Sequence, residues 1–132
     1  MADAVTTTVL VDNSREYVAL FTNTSDSTGE SAVTKIDVSA LSPAATKVAI
    51  EKIHYSTFGM AVNILWDATA DVLAWRCLAD QTGTFDFTRF GGLPNPCTAG
   101  YTGDVQFTTV GHTAGDTYAI VLECRKVGCT VI

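Results

Sequence analysis

The stretch Val48–Leu78, VAIEKIHYSTFGMAVNILWDATADVLAWRCL, decides the fold. It holds both tryptophans, His54 and the densest aliphatic run of the chain. Met60, Val62, Ile64 and Trp66 alternate with Ala61, Asn63, Leu65 and Asp67. A period of two belongs to a strand buried on one face. Phe58-Gly59 reads as the turn before it and Asp67–Asp71 (DATAD) as a hairpin loop after it. Val72–Leu78 then returns with Leu73, Trp75 and Cys77 on one face. Upstream, Val48 and Ile50 are out of phase with Ile53 and Tyr55, which predicts a bulge near Glu51-Lys52. The stretch reads as three consecutive strands of a sheet core.

The same texture continues on both sides. Val5–Val11 (VTTTVLV) is β-branched and pleat-forming. Asp12-Asn13-Ser14 is a turn cluster. Tyr17–Thr24 carries apolar groups on both faces, as an interior strand does. Ser25–Ser31 is a polar loop, expected to be a mobile tip. Ala32–Val38 alternates again, with Ala32, Thr34, Ile36 and Val38 on one face and Val33, Lys35 and Asp37 on the other. Ser42–Lys47 (SPAATK) is long enough for one helical turn and too short for a stable helix. Phe85 and Phe87 anchor a short strand around Asp86. Gly91–Gly103, with two glycines and two prolines at its start, is a shaped loop. Asp104–Val110 and Asp116–Lys126 read as a final antiparallel hairpin joined by GHTAG. Eight or nine strands at regular spacing, without a convincing helix, predict an all-β antiparallel sandwich of jelly-roll type. At 132 residues the expectation is a single domain, 1–132, with an apolar N-terminal arm and C-terminal tail. Such a chain buries roughly 65–70% of its unfolded surface and folds without staples.

Composition excludes several function classes. The net charge of −6 argues against a nucleic-acid binder and against docking on an anionic membrane. No apolar run approaches the roughly 20 residues of a membrane helix. MADAVTTTVLVD lacks the basic and apolar regions of a signal peptide, so synthesis and use in a cytoplasm, or release by lysis, is expected. Only 17% of residues are charged while 47% are hydrophobic. So little charge leaves some outer surface to be covered by a partner or another copy.

Candidate chemistry is sparse. Cys77, Cys97, Cys124 and Cys129 are expected to be free, buried thiols. The C-x4-C spacing of Cys124 and Cys129 does not suit zinc. His112 lies near Asp104 and Asp116 in sequence, but no strained nucleophile turn accompanies them. His54, in mid-strand, reads as structural. Asp67 with Asp71, and Asp26 with Glu30, read as solvated turn acids, with too few oxygens for calcium. Trp66, Trp75 and Tyr55 suit a sugar-stacking platform or a packed core; their strand positions favour the core. Asn23-Thr24-Ser25 is a sequon by composition alone. No catalytic, cofactor-binding or metal-ligating residue is assigned, and the protein is expected not to be an enzyme.

Three segments, Met1–Leu41, Tyr55–Trp75 (YSTFGMAVNILWDATADVLAW) and Gly103–Lys126 (GDVQFTTVGHTAGDTYAIVLECRK), together resemble a family of small virion proteins of tailed bacteriophages. The resemblance runs along nearly the whole chain and is one of texture, not of a catalytic motif. It implies a structural virion component, foremost a capsid decoration (cement) protein. The partners implied are a major capsid protein or other virion proteins, and further copies of the chain. A tail or neck component, or a carbohydrate-binding sandwich on the phage surface, is the alternative. Contacts are expected in Met1–Thr8, Gly91–Gly103 and Val127–Ile132.

Overall fold

The computed structural model describes residues 4–13, 15–26, 29–41, 47–68, 70–90, 92–96 and 102–127. Nine strands form among them: β1 Ala4–Asp12, β2 Glu16–Thr24, β3 Val33–Ile36, β4 Lys47–Phe58, β5 Ala61–Trp66, β6 Val72–Cys77, β7 Thr82–Asp86, β8 Val105–Val110 and β9 Thr117–Val127. Single 3-10 turns occur at Val38–Ala40 and Thr88–Phe90. No helix among the described residues is long and apolar enough to cross a membrane.

The strands form two antiparallel sheets, ordered β1-β2-β9-β4-β7 and β3-β8-β5-β6. Within them β2 pairs with β9, β3 with β8, β4 with β7 and β5 with β6. These nested pairs are what one long hairpin of eight strands makes when it is rolled into two layers. The fold is therefore a jelly roll, as the spacing of strands predicts. β1 stands outside the nesting and extends the larger sheet beyond β2.

Alternate residues of each strand point into the layer between the sheets. Phe21 of β2, Phe107 of β8 and Tyr118 of β9 meet edge-on across it, with ring centroids 5.4 and 5.7 Å apart. This is the preferred aromatic geometry. Met60, Val62, Ile64 and Trp66 are all buried, as their alternation predicts. Tyr55 stacks on Phe85, and Trp75 lies against Phe85 and Phe87. The predicted bulge is present: the β4–β9 register shifts between Ile50 and Lys52, which puts Val48, Ile50, Ile53 and Tyr55 all inward. After β1, Asn13 Oδ1 accepts the N–H groups of Arg15 and Glu16 at 2.9 Å.

The loop after β7 seals an edge. β7 covers β4 only over Lys52–Ser56. Beyond it, Phe87 N–H donates to Glu51 O, and Leu93 and Ile50 exchange both main-chain bonds at 2.7 and 3.0 Å. Gly92, at φ +100°, allows this approach; a side chain there would press on the Ile50 carbonyl.

Three expectations are corrected. β8 and β9 are not a hairpin: β8 pairs with β3 and β5, β9 with β2 and β4, and residues 111–116 cross between sheets. Likewise Val48–Leu78 divides between layers, β4 in one and β5–β6 in the other. Leu73 does not share a face with Trp75 and Cys77. The β5–β6 register shifts so that Ile64 opposes Trp75 while Leu65 opposes Leu73. The extra residue, Ala74, packs towards the core, and Leu73 is turned out, 46% exposed. The SPAATK turn, apart from Lys47, lies outside the described residues.

This register has an energetic consequence. Ile64→Ala removes fully buried atoms and should cost about 2–5 kcal/mol. Leu73→Ala should cost within about 1 kcal/mol. Denaturant midpoints measure both; equal losses would contradict the bulge.

Candidate functional site

The densest polar cluster lies at one end of the sandwich interior, where Asn23, Thr109 and Tyr118 end the inward rows of β2, β8 and β9. Glu30 folds in beneath them. Its Oε1 accepts from Asn23 Nδ2 at 3.0 Å and from the Tyr118 hydroxyl at 2.5 Å. Its other oxygen pairs with Lys35 Nζ, and both side chains are only 5% exposed. The ammonium also stands 5.9 Å from the centre of the Phe107 ring. Removing two charges from water costs several kcal/mol each, which this geometry offsets by pairing and hydrogen bonds.

The surrounding loops are tied to the same cluster. Glu30 N–H donates to Thr109 Oγ1 at 2.9 Å, and Thr109 N–H donates to Glu30 O at 3.0 Å. His112 Nδ1 lies 3.1 Å from Thr109 Oγ1. Ser25 N–H donates to Asp116 O, and Gly115 N–H returns a bond to Ser25 O. Gly29, at φ +71°, sits against the His112 ring where no side chain would fit. One expectation falls here: Glu30 is not a solvated turn acid. Of the Ser25–Ser31 loop, Ser25 and Glu30 are buried, while residues 27 and 28 lie outside the described residues. Lys35 is buried because β3 bulges between Thr34 and Ile36.

A second constellation lies on the outer face of the larger sheet. His54 Nδ1 is 3.2 Å from Thr84 Oγ1, and Nε2 pairs with the Glu123 carboxylate. Hydroxyl, imidazole and carboxylate stand in the order of a hydrolytic relay. The setting is different, however. Thr84 is directly opposite His54 in the β4–β7 ladder, on a regular strand. Amides in a ladder do not converge on an oxyanion, which such chemistry requires. What the arrangement supplies is cross-strand pairing, as expected for a structural histidine. Leu20, Ala119 and Val121 make the shallow apolar floor beside it.

The remaining expected residues are dispersed. His112 and Asp116 do not join: Asp116 accepts from Thr113 N–H and Oγ1 at 2.7 and 3.0 Å. Asp67 accepts from the Thr102 hydroxyl and Asp71 from Ala68 N–H. Among the described residues no group of three histidine, cysteine or acidic side chains is placed to hold a metal. Cys77 and Cys124 are free and buried, as expected; Cys97 and Cys129 lie outside the described residues. Burial pushes the Cys77 thiol up to about 12 and raises Cys124 as well, so neither is a ready nucleophile. Trp66 is 2% exposed and Tyr55 is buried, which removes the sugar-stacking platform. Of the three expected contact segments, Ala4–Thr8 belongs to β1, Leu93 is bound to β4, and residues 1–3, 91, 97–101 and 128–132 lie outside the described residues.

The interior is thus packed, and much of the apolar excess is at the surface. Phe58 (65% exposed), Leu78 (52%) and Val110 (48%) lie at one end of the sandwich. Their common end follows from register, since Ala61 opposes Val110 and Val62 opposes Cys77. Val5, Val9 and Leu10 along β1 are 46–54% exposed. Sequence reading missed Glu30 with Lys35; the one signal was a lone lysine inside an otherwise apolar-alternating strand. No family model matches the chain, and no curated protein is detectably similar to it.

Two outcomes test these electrostatics. Glu30→Gln and Lys35→Met should each cost about 3–5 kcal/mol, because each strands a buried partner. The double variant should cost less than their sum; additive losses in a double-mutant cycle would contradict the pairing. Separately, burial raises the Asp104 carboxyl, with the Asp37 charge adding to it and the hydrogen bond from Val38 N–H opposing it. Its ionisation is therefore harder in the folded chain, and it subtracts stability as pH rises through the ordinary carboxylate range. Asp104→Asn keeps an acceptor for Val38. It should improve relative stability more at neutral pH than at about pH 3; an equal effect at both would contradict this.

Proposed function

We propose that the protein is a non-enzymatic structural component of a virion, a capsid decoration protein that binds and stabilises a phage head shell. The observation that carries this reading is the surplus of exposed apolar side chains at one end of the sandwich and along β1. Patches of this kind mark interaction surfaces. The resemblance of Met1–Leu41, Tyr55–Trp75 and Gly103–Lys126 to small phage virion proteins points the same way. Jelly rolls serve as capsid and lectin domains among other uses, so the fold is compatible with this role and does not by itself assign it. The partners proposed are a major capsid protein or other virion proteins. The acidic balance disfavours nucleic acid and anionic membrane as partners.

Co-sedimentation with separated heads and tails tests the reading. The protein should travel with heads, and Phe58→Asp combined with Leu78→Asp should weaken that binding at least tenfold without changing the fold. Travel with tails alone would make it a tail or neck component. Absence from both would remove the virion reading.

A further inference from the structure

The jelly roll leaves four sheet edges among the described residues, and three of them are guarded. β3 is four residues long and bulged. β6 carries Arg76 and follows Asp71. β7 is five residues long, with Gly83 and a terminal Asp86. Short strands, bulges and charges are the usual defences of an edge. β1 is nine residues long and has no charge from Ala4 to Val11. Its only bulge lies between Val9 and Val11, so Ala4–Val9 is a regular strand.

β1 also overhangs. Val5, Thr7 and Val9 oppose Asn23, Phe21 and Ala19 and so share the inner face of the larger sheet. Their partners on β2 are buried, yet Val5 is 46% and Val9 52% exposed. The smaller sheet therefore does not reach over β1, and among the described residues there is room beside it for another strand.

We infer that β1 pairs antiparallel with β1 of a second copy, about a two-fold axis at Thr7, joining two five-stranded sheets into one. The register follows from the residues. An isologous strand pair must match faces, which requires opposed positions of equal parity. With the axis at Thr7, Val5 of one copy opposes Val9 of the other, twice over, and Thr6 opposes Thr8. The overhanging valines then cover one another on the inner face, while threonines pair on the outer. No like charges meet, although the whole chain is acidic. A charged partner strand would find nothing on this edge to pair with. The paired segment is small beside the roughly 800 Å² per partner of a lasting dimer, so association depends on concentration. The pairing does not rest on the virion reading and survives its failure.

Sedimentation velocity over a concentration series tests it, with Thr7→Lys and Thr7→Asp as variants. Opposed copies place the two residue-7 side chains about 5 Å apart. Wild type should associate as concentration rises. Each variant alone should associate at least tenfold more weakly, and an equimolar mixture of the two should recover. Circular dichroism confirms that each variant is folded; should either unfold, Val5→Lys mixed with Val9→Asp gives the same cross-axis rescue. A wild type that stays monomeric throughout overturns the inference, as do variants that associate like wild type. A monomeric wild type whose head binding is lost on Thr7→Lys would assign the edge to a strand of another protein instead.

Discussion

An unbroken apolar layer between two sheets is the constraint on which the rest of this structure depends. Alternate residues of β2, β4, β5, β8 and β9 build it, and a slip of one residue in any of them would send its apolar set outward. The bulges preserve that phase where the sequence breaks it. At Ile50/Lys52 a bulge brings Val48 and Ile50 into line with Ile53 and Tyr55. At Ile64/Leu65 a second lets Trp75 and Cys77 face inward although Leu73 cannot. At one end Lys126 closes the inward row of β9 and pairs with Asp12; at the other the layer turns polar, with Glu30 accepting from Asn23 and Tyr118 and pairing with Lys35.

That polar end explains how the crossings between sheets are held. Residues 25–32 connect β2 to β3, and residues 111–116 connect β8 to β9; each passes from one layer to the other. The buried Glu30 carboxylate and the Thr109–His112 and Ser25–Asp116 contacts fasten the two crossings together. A half-satisfied network in this place would be costly, so it also specifies one arrangement of the loops.

Much of the fold was legible because a period of two reports which face a residue occupies. Met60–Trp66 and Tyr118–Cys124 are clear cases. What the period does not report is the partner. Asp104–Val110 and Asp116–Lys126 satisfy every local criterion for a hairpin, yet β8 and β9 pair with strands remote in sequence. Nor does it report insertions: Leu73 lost its face to one extra residue, and Lys35 gained a buried place through another. Glu30 was read as exposed because a polar loop of turn formers hides a single side chain that folds back. The surface was legible only in outline. Low charge indicated coverage by something, while the location of the uncovered strand, β1, required the nested topology.

Several titratable groups thus hold the roll together, and most of its exposed large apolar side chains stand at one end and along β1. Recognition by this chain is proposed at the strand edge and the rim. Amide hydrogen exchange followed residue by residue, in dilute and in concentrated protein, tests that claim most directly. The account predicts that edge-facing amides within Ala4–Val9 gain protection on concentration while those of β7, the opposite edge of the same sheet, do not. Protection gained at β7 or on the smaller sheet, with β1 unchanged, would contradict it.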